Sequence, residues 1–74
     1  MPDPAGSVSD RLAVWSEVDK LPVRQRQVLY LRYRSDLSFE EIGEVLGITA
    51  SAGRSHATQA LATLRRRLAA GEEQ

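Results

Sequence analysis

The chain has 74 residues, ten Lys/Arg balanced by ten Asp/Glu, and no cysteine, so it can form one small domain without disulfides or thiolate metal sites. One histidine cannot hold a metal alone, no apolar run approaches the ~20 residues that cross a bilayer, and no basic-then-apolar signal segment opens the chain, so a cytoplasmic protein without metal or membrane attachment is expected. Net charge is zero, but residues 49–69 carry four arginines and no acid while residues 1–48 carry six Lys/Arg against eight Asp/Glu, which can place a basic surface on one element of a neutral domain.

MPDPAGS holds two prolines and a glycine, and residues 1–6 read as a disordered leader or linker remnant. An ordered domain over residues 7–70 and a polar tail over 71–74 are expected. From Ser7, Val8, Leu12, Trp15 and Val18 recur at three- and four-residue steps, one apolar stripe on a charged helix. Ser7 with Asp10 resembles a capping box. Lys20 and Leu21 end this helix, and Pro22 suits the first position of a second, about 22–34, whose buried side is Leu21, Val28, Leu29 and Leu31 with Tyr33 at the edge.

In SDLSFEEIGEVLGIT, Ser38 and Glu41 form a capping box and Phe39, Ile42 and Leu46 fall on one face of a short helix. Gly47 stops that helix by accepting the left-handed conformation. Thr49 can cap a fourth helix running to about Ala69, with Ala57, Ala60, Leu61, Leu64 and Leu68 on its apolar face. No strand pattern or repeat appears. The predicted fold is all-α, a small four-helix domain with a C-terminal helix-turn-helix. Gly43 supplies the small residue such a motif needs where its helices approach, and Ile48 the apolar wedge after the turn. An ordinary helical hairpin that binds no DNA shares this spacing.

The run LPVRQRQVLYLRYRSDLSFEEIGEVLGIT resembles region four, the C-terminal domain of bacterial RNA polymerase sigma factors, and within them the extracytoplasmic-function group. That group's usual run is LPxRxRxVLxLRY, then LSxEEIAxxLGIS, then a helix of the type xGTVRSxxxRALxxLR. The first two parts match at nearly every informative position; the third matches at Arg54, Ser55, Ala60, Leu61, Leu64 and Arg65. The likeness spans about residues 8–68. It implies a domain that reads the promoter −35 element in the major groove, docks on the β-subunit flap of core RNA polymerase, is covered by anti-sigma factors in some cases, needs no cofactor and catalyses nothing. It further implies one domain of a longer sigma factor or a stand-alone regulator, monomeric when isolated.

At about 100° per residue, the side of the fourth helix opposite its apolar face carries Ser51, Ser55, Thr58 and Gln59, flanked by Arg54 and His56. These six are the candidate DNA contacts: arginine forks onto guanine, glutamine onto adenine, and threonine touches the thymine methyl. Gln59 stands where the family most often has arginine. Arg65, Arg66 and Arg67 read as a solvated basic helix end, and Asp36, Glu40, Glu41 and Glu44 as a solvated acidic face. Leu12, Trp15, Val18, Tyr30 and Tyr33 are candidates for a groove that takes a partner helix, with a core role the alternative for Trp15.

Gly53 falls on the apolar face where the family usually has valine. Either the helix packs closer or starts later, with Ser51 as its cap, or it frays until DNA or a partner orders it. Gly53→Val is expected to raise the melting temperature. Three other readings compete. A sigma-like module could bind polymerase or an anti-sigma factor without reading DNA, which zero net charge, Gly53 and Gln59 favour. A LuxR-type regulator shares the second motif but usually lacks LxLRY. An enzyme is opposed by the missing nucleophile–base set.

Overall fold

A computed structural model describes the backbone of residues 8–72 and the side chains of residues 12–70. Four α-helices follow one another: α1 (Val8–Val18), α2 (Val23–Leu29), α3 (Phe39–Leu46) and α4 (Ala50–Glu72). Among the described residues there is no strand, and the domain is all-α as expected. Residues 1–6, the Ser7 cap and the end of the tail lie outside the described residues.

α1 ends at Val18, before the Lys20–Leu21 boundary read from sequence, because its last turn tightens. Lys20 N–H donates to the Glu17 carbonyl at 3.1 Å and Leu21 N–H to that of Val18 at 3.0 Å. Pro22 is the cap of α2 and not its first helical residue. Its φ of −52° and ψ of 148° are extended, and its carbonyl accepts from Arg26 N–H at 3.0 Å.

The single helix read over 22–34 is two conformations. After Leu29 the backbone widens into a π-helical turn, Tyr30–Arg34, in which Ser35 N–H reaches back five residues to the Tyr30 carbonyl at 3.1 Å. Asp36 then takes a left-handed φ of 58°, which a short polar side chain tolerates, and the helix stops. Leu37 N–H closes the end on the Leu31 carbonyl at 3.0 Å. Apolar spacing carries no sign of the widening, since α and π turns bury similar side chains over so short a run. α4 likewise outruns its expected end near Ala69 and continues to Glu72. Gly71 costs it only about 1 kcal/mol relative to alanine.

α1, α2 and α3 all pack on α4. The buried set is Val18, Leu21, Val28, Leu29, Ile42, Ala57, Ala60 and Leu64. Leu61 is half-buried against it, as are Trp15, Tyr30, Leu31, Phe39 and Leu46. The small side chains of Ala57 and Ala60 let the neighbouring helices approach α4 closely. The stripe read on α1 needs correcting at one position: Leu12 is 67% exposed, and Val14 packs on the core instead. Helical rotation places Leu12 about 120° away from Val18. Val8 lies outside the described side chains.

Candidate nucleic-acid interface

The turn between α3 and α4 is built by contacts within a few residues of one another. Ser38 Oγ accepts from Glu41 N–H at 3.1 Å, and Glu41 Oε1 accepts from Ser38 N–H at 2.9 Å. The Ser38 backbone and hydroxyl bonds hold the Glu41 carboxyl below its ordinary range. Gly47 sits at φ 70°, and its N–H donates to the Gly43 carbonyl. Ile48 N–H donates to the same carbonyl at 3.0 Å. Thr49 Oγ1 accepts from Ala52 N–H at 3.0 Å, so Thr49 and not Ser51 caps α4.

At Gly43 the start of α4 comes close to α3. A Cβ there would lie 2.5 Å from the Ile48 carbonyl oxygen and 3.4 Å from Ala50 N. The absent side chain therefore lets the start of α4 cross α3. At Gly53, buried one turn into α4, a Cβ would meet Phe39 Cδ1 at 3.5 Å and Ile42 Cγ2 at 4.0 Å, ordinary contact distances.

This crossing orients α4. Ala57, Ala60 and Leu64 are buried, Leu61 and Leu68 half-buried, while Ser51, Arg54, Ser55, Thr58 and Gln59 are exposed. His56 is half-buried on the flank of the helix, the one member of the expected contact set not fully on the outer side.

Arg54 leans back over α3. Its Nη2 lies 3.4 Å from Glu40 Oε1 and its guanidinium carbon 5.4 Å from the Phe39 ring centroid. Arg32, from the π turn, lies 5.1 Å from the same ring and donates to the Leu37 carbonyl at 2.9 Å. Two cations thus share one aromatic ring at the edge of the motif. Arg32 is absent from the contacts expected by helical projection, because only tertiary packing brings the π turn beside α3, where Phe39 meets Arg54 as well. Arg65, Arg66 and Arg67 are exposed further along α4, where Arg66 donates to Thr63 Oγ1 at 3.3 Å. Such an arrangement presents N–H and O–H donors with fixed positive charge, groups suited to phosphate oxygens and base edges.

The second surface is aromatic. Trp15 and Tyr30 stack with ring centroids 5.1 Å apart, and Arg34 lies 5.3 Å from the Trp15 ring and 5.6 Å from that of Tyr30. Tyr30 Oη donates to Asp19 Oδ1, a bond that pushes the phenol's pKa up. Leu12 and Tyr33 are exposed, and Trp15 and Tyr30 are half-buried. Val18 does not belong to this surface: it is 1% exposed and part of the core, because it projects with Val14 and not with Leu12.

A family model described as "Sigma-70, region 4" matches residues 18–66. "RNA polymerase sigma factor FliA" of Pseudomonas aeruginosa is 46% identical over 57 residues, covering 77% of this chain and 23% of that protein. The chain therefore spans less than a quarter of that relative's length. No solved structure matches. Neither likeness supports the narrower extracytoplasmic-function group suggested by the sequence.

Proposed function

Since the chain belongs to the sigma-70 region 4 family, we propose that it recognises the −35 element of promoters and binds core RNA polymerase for transcription initiation. The single observation that carries this reading is the crossing at Gly43, which buries Ala57, Ala60 and Leu64 and leaves Ser51, Arg54, Ser55, Thr58 and Gln59 on the outer side of α4. Ser51, Ser55, Thr58 and Gln59 enter the major groove, with Arg54 at its edge. Arg54 and Arg32, held beside Phe39, reach the flanking phosphates. The Glu40 carboxylate does not prevent this, because an exposed ion pair at 3.4 Å is worth little and yields to a phosphate. His56 contributes from the flank.

Polymerase docking falls to the opposite region of the molecule's sequence. Leu12, Trp15, Tyr30 and Tyr33 form an aromatic and aliphatic surface for an apolar helix of the β flap, and an anti-sigma factor would compete by covering it. The domain acts by binding and needs no cofactor. A second reading, a module that binds polymerase or a regulator without DNA, draws on the engagement of Arg54 by Glu40 and on the zero net charge.

An NMR titration with short duplex DNA at low and moderate salt separates the two. Shifts centred on residues 50–60 and including Arg32, with affinity in the range of ~10⁻⁴–10⁻⁶ M and falling steeply as salt rises, are the expected result. Shifts confined to residues 12–33, produced by a flap peptide and never by the duplex, would establish the second reading instead.

A further inference from the structure

Arg32, Arg34 and Arg54 each lie against aromatic rings. Arg54 also reaches the Glu40 carboxylate at 3.4 Å, and Arg32 donates to the Leu37 carbonyl at 2.9 Å. Arg34 differs. It is exposed, with its guanidinium carbon 5.3 Å from the Trp15 ring and 5.6 Å from that of Tyr30. The ion pairs among the described residues are Lys20–Glu17 and Arg54–Glu40, and Arg34 belongs to neither. The carboxylate at the edge of the ring stack is Asp19. It accepts from the Tyr30 hydroxyl, and a second cation, Arg26, donates to the Asp19 backbone carbonyl at 3.2 Å. Leu12, one helical turn before Trp15, and Tyr33, next to Arg34 in the chain, are exposed and extend the apolar area.

A helix that covers the Trp15 and Tyr30 rings also covers Arg34, because the guanidinium rests on those rings. Taking an unpaired guanidinium out of water is strongly unfavourable. A partner cation at that place would be repelled. A carboxylate beside the partner's apolar stripe meets both conditions, since arginine can keep its ring contact while its N–H edge pairs with an acid.

We propose that the helix docking on this surface is amphipathic and acidic: an aspartate or glutamate beside its apolar residues pairs with Arg34 while those residues cover Leu12, Trp15 and Tyr33. This rests on the reading of the surface as the one that docks on the β flap, and it adds a charge to the apolar partner described above.

The test measures binding of the labelled 74-residue chain to purified core RNA polymerase across a salt series. Arg34→Gln should weaken binding by about ten-fold at low salt, with the gap closing as salt rises. Arg34→Glu should weaken it further, and Arg34→Lys, which keeps the charge, should retain most of the affinity. Lysine substituted for a carboxylate of the flap helix should restore binding to the Arg34→Glu variant. Leu12→Ala should weaken binding to a similar degree at every salt concentration. These variants alter exposed side chains and should melt within a few degrees of the wild type. Undiminished binding by Arg34→Gln, with Leu12→Ala weakened, would mean that an apolar helix docks with Arg34 swung aside; the proposal then fails and the docking reading stands. Weakening that ignores salt and that no lysine exchange rescues would reduce Arg34 to a packing residue and overturn the proposal as well. A wild-type dimer in sedimentation that Leu12→Ala dissociates would give the surface to a second copy of the chain instead. If neither Arg34→Gln nor Leu12→Ala weakens polymerase binding, the docking reading itself fails and the acidic partner falls with it.

Discussion

Phe39 closes over Gly53: its Cδ1 would stand 3.5 Å from a Cβ at that glycine, with Ile42 Cγ2 at 4.0 Å. The missing side chain thus leaves room for a methyl group at ordinary contact distance. Gly53→Ala should gain about 1 kcal/mol from helix propensity and methyl burial, raising the melting temperature by roughly 4–8 °C. Gly53→Val should gain less, because its outer methyls must displace Phe39 and its branched side chain loses freedom in a helix. Thermal melts of the three proteins check the order alanine, valine, glycine; a fall on alanine substitution contradicts it.

Gly43 should behave in the opposite way. Its would-be Cβ meets backbone, the Ile48 carbonyl at 2.5 Å, which cannot rotate aside as a side chain can. Gly43→Val should destabilise the domain by about 1–3 kcal/mol and shift the backbone amide resonances of residues 47–50. Denaturant unfolding together with an amide spectrum measures both. Unchanged resonances at the turn would show that α3 and α4 do not meet there.

Arg32 and Arg54 flank one ring from different elements, 5.1 and 5.4 Å from its centroid. Each alanine substitution should lower the salt dependence of duplex binding by about one unit of slope, the signature of one lost phosphate contact. Stability should fall by no more than about 1 kcal/mol for Arg54, whose cation–aromatic contact is exposed, and by about 1–2 kcal/mol for half-buried Arg32, which also loses its bond to the Leu37 carbonyl. Affinity measured across a salt series decides. An unaltered slope for Arg32→Ala confines the DNA contacts to α4.

Val18 and Leu12 were read from sequence as one surface, yet one is buried and the other exposed. Val18→Ala should cost about 1–3 kcal/mol of stability. Leu12→Ala and Tyr33→Ala should leave stability within about 0.5 kcal/mol and weaken binding to core polymerase. Pull-down with core enzyme, paired with thermal melts, separates the two effects. Full retention of polymerase binding by the Leu12 and Tyr33 variants moves the docking site elsewhere.

Ser38 and Glu41 predict a pH effect. The Glu41 carboxyl is held below its ordinary value by bonds from Ser38, so its contribution to stability is full above the unfolded-state value and vanishes as pH falls through the lowered one. Ser38→Ala should therefore lower the melting temperature at neutral pH, by an amount that narrows in acid. NMR titration of the Glu41 carboxyl should show its midpoint rising in the variant; an identical midpoint in both proteins refutes the cap's role.

What the amino-acid sequence determined by itself was local: the Ser38–Glu41 box, the left-handed Gly47, the Thr49 cap, and the periodicity that turns Ala57, Ala60 and Leu64 inward. These depend on groups three or four residues apart, whose relative placement follows from helical geometry once the helix forms. The wide turn at Tyr30–Arg34, the ring shared by Arg32 and Arg54, and the hydrogen bond from Gln25 on α2 to Gln59 on α4 were settled only by tertiary structure. Each depends on how α1, α2 and α3 lie against α4. Packing between helices sets those angles, and the period of any one helix leaves them open.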